Sequence, residues 1–187
     1  MKIARIAMAT VTAATMLIGA AGTAVAEETT CRGRIGSRTV DNLRVPSGAT
    51  CTLEGTLVKG TIKVARDATL YASDVRAIGN VQGENARRVN VTAGSRVGGS
   101  IQVVQGRAGV IRNTKVNADI LFDDQSGDVR VERNIVGGNI QAFQNTGGVR
   151  IADNTVDGNL QCKENSPRPT GGNNRVEGNK EDQCRNL

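Results

Sequence analysis

The chain has 187 residues, no His, no Trp, one Tyr and two Phe. Without imidazole, Ser-His and Cys-His hydrolysis and most catalytic zinc sites are excluded. The formal net charge of +6 comes from interspersed residues of both signs, with no basic run and no aromatic stacking set, which argues against nucleic-acid binding.

Residues 1–26 read as an export leader. Lys2 and Arg5 form a short positive start, and an apolar stretch through Met16, Leu17 and Ile18 leads to Ala24-Val25-Ala26, a small-x-small cleavage pattern. The competing reading is a membrane anchor, but the apolar stretch is short for a span and contains Thr and Gly. Cleavage after Ala26 is the expectation, with no lipid-bearing cysteine there and no second apolar run to span a membrane. Loss of Lys2 and Arg5 lowers the net charge from +6 to +4, and the mature chain is expected to be secreted.

Residues 27–57 are expected to form an N-terminal cap and first coil, 58–175 the main coils, and 176–187 a C-terminal cap. The division rests on an internal repeat. Val136-Gly137-Gly138-Asn139-Ile140-Gln141-Ala142 returns as Val156-Asp157-Gly158-Asn159-Leu160-Gln161-Cys162. Earlier copies begin at Val58, Ala77, Val97 and Val116, and a last fragment begins at Val176, so the spacing is 19 or 20 residues throughout. Within each copy apolar and polar residues alternate with a period of two, and Gly and Asn mark the turns. A helix would want a longer period and better helix formers.

The predicted fold is therefore all-β: a single-domain parallel β-solenoid, a right-handed β-helix of about six to seven coils, with disulfide-pinned end caps. Coils stacked at about 4.8 Å would make a rod on the order of 30 Å long. Leucine-rich repeats need regular leucines and left-handed hexapeptide helices a tighter motif; a sandwich or propeller is the remaining alternative. Two asparagine-rich columns fit the stacking: Asn80, Ser100, Asp119, Asn139, Asn159 and Asn179, and Asn134, Asn154 and Asn174 with Asn113 displaced by one. Both read as turn ladders.

Four cysteines remain, and in an exported chain an even count points to disulfides. Aligning the repeats puts Cys51 inward in the first coil and Cys162 inward in the last, with Cys31 and Cys184 in the flanks. Cys31–Cys51 and Cys162–Cys184 are the expected pairs, each worth about 3 kcal/mol in the chain-entropy model. A zinc site has neither the spacing nor the histidines.

One acidic cluster stands out, Asp119, Asp123, Asp124 and Asp128, with Arg130 beside it. Such carboxylates could hold Ca²⁺ and serve a polysaccharide lyase or hydrolase, with Asp123, Asp124, Asp128 and Arg130 as catalytic candidates. The simpler reading is a polar turn, so no metal or other cofactor is expected. The outward face after each Gly-Asn turn carries Arg44, Lys63, Gln82, Gln102, Leu121, Gln141 and Gln161, and the later strand carries Thr52, Tyr71, Asn90, Val110, Arg130 and Arg150. Gln102, Gln141, Gln161, Arg130 and Arg150 are the candidates for hydrogen-bonding a sugar chain along the rod.

The Gly-Asn-Ile-Gln repeats and the ending Asn159-Leu160-Gln161-Cys162 … Gly178-Asn179-Lys180-Glu181-Asp182-Gln183-Cys184 resemble small exported actinobacterial β-helix proteins of uncharacterised function. The resemblance covers nearly all of the mature chain and implies the fold and an extracellular setting, without catalytic residues. The likeness to pectin-lyase-like β-helices is more distant. The expected role is a secreted, non-enzymatic, monomeric protein that binds cell-wall or extracellular polysaccharide. The alternatives are a polysaccharide-active enzyme using the coil-four acids and a self-assembling surface component.

Overall fold

The computed structural model describes residues 27–187. The predicted leader lies outside the described residues. The described chain contains no helix and winds into a parallel β-solenoid of about 7 turns. Each full turn gives one strand to each of three sheets, of nine, eight and eight strands. A representative turn runs Arg96–Val97 in the third sheet, Ile101–Val104 in the first and Ala108–Arg112 in the second, and then returns to the third at Lys115–Val116.

The two-residue alternation decides which side chains go inside. In the first sheet Ile101, Ile120, Ile140 and Leu160 stack in register and are buried, while Gln102, Leu121, Gln141 and Gln161 stack on the outside. In the third sheet Val97, Val116, Val136 and Val156 form one buried column. Each aliphatic side chain thus meets its copies above and below, and a core this narrow closes without large aromatics. Phe122 is the exception. It fits because Gly109 lies opposite: a Cβ at Gly109 would stand 2.4 Å from Phe122 Cε1.

The corners obey a division of labour that the repeat alone does not display. One residue takes the left-handed conformation, as at Asn113, Arg133, Asp153 and Asn173 (φ 50°, 54°, 59° and 58°). The next residue turns inward and bonds along the axis. Thr114, Asn134, Asn154 and Asn174 are all buried, and the backbone N–H of each of the first three donates to the side-chain oxygen of the next, one coil on. Asn113 is therefore a left-handed corner residue, and Thr114 holds its place in the ladder. The ladder asparagines are not the residues with positive φ.

A second ladder runs between the first and second sheets, through the buried Gln125, Asn145 and Asn165 to the half-buried Gln183. The third, half-buried, links Asn80, Ser100, Asp119, Asn139 and Asn159 through backbone N–H groups.

Disulfides join Cys31 to Cys51 and Cys162 to Cys184, with Cα separations of 5.5 and 5.2 Å. The segments expected as caps also continue the sheets. Glu28–Thr30 adds a strand beside Asn42–Val45, and Lys180–Asp182 adds one beside Leu160–Lys163. Leu187 packs against the core at the C-terminal end.

Candidate functional site

A solenoid offers long open faces, so a site here is a stretch of outward column whose polar heads are not already used. On the first sheet Arg44, Lys63, Gln82, Gln102, Leu121, Gln141 and Gln161 lie in one register, as expected. The two halves of this column differ. In the C-terminal half Gln141 Nε2 donates to Gln161 Oε1 at 2.8 Å, and Gln161 Nε2 donates to Glu181 Oε2 at 2.9 Å. That end is an amide ladder closed by a carboxylate, with one N–H of each amide committed to the next side chain.

The N-terminal half is a shallow groove of about 690 Å³. Arg44, Lys63, Gln82, Gln102 and Leu121 run along it, with Arg66 and Glu84 at its rim. Lys63 and Gln102 are exposed. Arg44 lies 3.9 Å from Glu28, near the limit for an ion pair, and both side chains are largely solvated. Among the described residues Lys63 and Arg66 take part in no ion pair. Of the expected sugar-binding residues, only Gln102 lies in this groove; Gln141 and Gln161 do not.

Arg130 and Arg150, the other two, lie in register on the second sheet. Neither is free. Arg130 Nε donates to Asp128 Oδ2 at 2.7 Å, and Arg150 Nε donates to Glu132 Oε1 at 3.0 Å. Glu132 also accepts from Arg112 Nη2 at 2.7 Å. This arrangement sets a carboxylate against each of two stacked cations, whose side chains stay about half exposed.

The coil-four acids are dispersed over separate tasks. Asp119 Oδ1 accepts from both N–H and Nδ2 of Asn139, at 2.7 and 3.0 Å, within a turn ladder. Asp123 stands half-buried on the first sheet, in register with Val104 and Phe143. Asp124 is a left-handed corner residue at φ 55°, and Asp128 is paired with Arg130. No three His, Cys, Asp or Glu side chains among the described residues gather into a group that could hold a metal ion. The four acids share a stretch of sequence without gathering into such a group.

Among the described residues no helix is long and apolar enough to cross a membrane. Compared with known protein families, curated proteins and solved structures, the chain matches none. Sequence reasoning found the column that carries the first-sheet groove but not the difference between its two halves. The bonds that distinguish the halves form between residues 20 apart, and a strand pattern shows only which way each points.

Proposed function

We propose that this protein is an exported, non-enzymatic, monomeric rod that binds cell-wall or extracellular polysaccharide along the N-terminal half of its first sheet. The observation that carries this reading is the groove itself. It places the donors of Arg44, Lys63, Gln82 and Gln102 on successive coils, followed by the apolar Leu121. A polysaccharide laid along the axis meets one such side chain about every 4.8 Å. Hydroxyls find hydrogen-bond donors, and a sugar ring face finds an aliphatic surface.

Two disulfides suit an oxidising compartment, in keeping with the leader read at residues 1–26. The resemblance to small exported β-helix proteins points the same way. The test is co-sedimentation with cell wall and with a panel of insoluble and acidic polysaccharides at low and high salt. Saturable binding that falls in the double variant Lys63→Ala, Gln102→Ala is the expected result. Failure to bind any polymer ends this reading.

A further inference from the structure

The third sheet carries a different feature on its outer side. Its strands are two residues long, and the first residue of each points outward. Read along the axis, that outward column is Leu57, Arg76, Arg96, Lys115, Ile135 and Thr155. Three cations therefore stand on three consecutive coils, about 4.8 Å apart. All three are exposed, and among the described residues none forms an ion pair.

Like charges directly opposite one another on adjacent strands are destabilising. The second sheet shows how this protein handles that problem: Arg130 and Arg150 are also in register, and each is paired with a carboxylate. The row at Arg76, Arg96 and Lys115 has no such relief. It lines a shallow groove of about 760 Å³ together with Ile78, Asn117 and the backbone at Gly94 and Gly98. Asp74 is the one acid on the rim, and it is a left-handed corner residue outside ion-pair range of all three cations.

We infer that this row is a second binding site, separate from the first-sheet groove, for an acidic polysaccharide whose carboxylates repeat along its length. The cations account for the charge, since Arg and Lys on adjacent coils can each meet one carboxylate of an axially aligned chain. The surroundings account for the sugar. Ile78 is 53% exposed beside the row and Ile135 is 55% exposed at its end, giving aliphatic surface for the C–H faces of rings. Asn117 adds an amide for hydroxyls. A phosphodiester polymer would use the cations and leave the aliphatic surface idle.

The experiment is calorimetric titration of the folded, oxidised protein with polygalacturonate, with polyphosphate and dextran as comparison polymers. Polygalacturonate should bind saturably and weaken with salt, and dextran should not bind. Arg96→Gln should weaken polygalacturonate binding at least tenfold. Arg130→Gln removes the same charge from the second sheet and should change it less than twofold. Melting of Arg96→Gln at or above the wild-type temperature shows that the rod is intact, because the variant removes the middle of a repulsive row. Lys115→Gln provides a second variant with the same expectation.

Equal losses in Arg96→Gln and Arg130→Gln would reduce the effect to net charge and overturn the site. Polyphosphate binding tighter than polygalacturonate would overturn the sugar assignment. No polygalacturonate binding would overturn the inference outright. The Lys63→Ala, Gln102→Ala variant should leave polygalacturonate binding at this row unchanged, so the two sites fail or stand separately.

Discussion

Asn154 lies one coil above Asn134, and its Oδ1 accepts both the backbone N–H and the Nδ2 of Asn134, each at 3.0 Å. Its own Nδ2 donates to Val131 O at 2.8 Å and to Asn174 Oδ1 at 2.9 Å. All of this happens at a buried corner, 1% exposed, where water cannot substitute. Asn154→Ala strands a backbone N–H and removes a partner from a carbonyl at once. The expected loss is about 2–5 kcal/mol in denaturant unfolding. Asn159 Oδ1 accepts the same kind of backbone bond from Asn179, but Asn159 is only half-buried and Asn179 is exposed. Asn159→Ala should cost about 1 kcal/mol or less. Similar losses at the two positions would show that burial does not set the strength of the ladder.

Glu132 is the junction of the second sheet's outer surface. Its side chain is only 9% exposed and accepts from Arg112 at 2.7 Å and Arg150 at 3.0 Å. Its register neighbour on the next coil is the small Ala152. Removing the carboxylate leaves Arg112, whose side chain is 35% exposed, without its counter-charge. Complete burial would make this about 3–5 kcal/mol. Partial solvation of both arginines reduces the expected cost of Glu132→Ala to about 2 kcal/mol. Arg150→Ala leaves the Arg112 pair in place and should cost less than about 1 kcal/mol. Thermal melts of the two variants check the order.

The stacked architecture was legible because one period runs from Val58 to Val176. Cys51 and Cys162 could be placed inward by counting from their repeats, and the disulfides follow from that placement. Who bonds to whom across coils was not legible. Arg130 reads as a free cation until the corner folds Asp128 beside it, and Arg150 until Glu132 is found 18 residues away. The buried Gln125–Asn145–Asn165 ladder escaped notice because Ala68, Ala86 and Gly106 hold the same corner in earlier coils. The cationic row had a signal that a period-of-two reading passes over. Arg76, Arg96 and Lys115 each directly precede the first residue of a repeat, in strands too short to alternate.

Gly109 and Phe122 form a size-matched pair across the core. Gly109 lies in register with Val89 and Val129, so the column expects a branched aliphatic residue there. Phe122, 1% exposed, fills the space instead. Gly109→Ala pushes a methyl group to within 2.4 Å of the ring edge, and the expected cost is about 1–3 kcal/mol. Phe122→Leu alone should also destabilise, by leaving a void beside Gly109. Combined, the two changes should cost less than the sum of their separate effects. A double-mutant cycle measured by chemical denaturation gives the coupling, and simple additivity would mean that the two side chains relax independently.

The C-terminal disulfide ties the last strand segment of the first sheet to the strand beside it. Cys162 belongs to the last complete first-sheet strand, and Lys180–Asp182 covers that strand's outer edge. Gln183 then ends the buried asparagine ladder, accepting from Asn165 N–H and Nδ2 at 2.9 and 3.0 Å and donating to Asn165 O at 2.9 Å. Cutting the bond with Cys162→Ala, Cys184→Ala releases a loop of 22 residues, an expected loss of about 3 kcal/mol. The larger consequence should be association. When the segment frays, Leu160 and the ladder at Asn165 present an unpaired strand edge, and such an edge pairs with another chain. Light scattering should show concentration-dependent assembly of this variant, while the oxidised wild type stays monomeric. A variant that melts earlier but remains monomeric would mean that Gln183 and Leu187 hold the cap closed without the covalent bond.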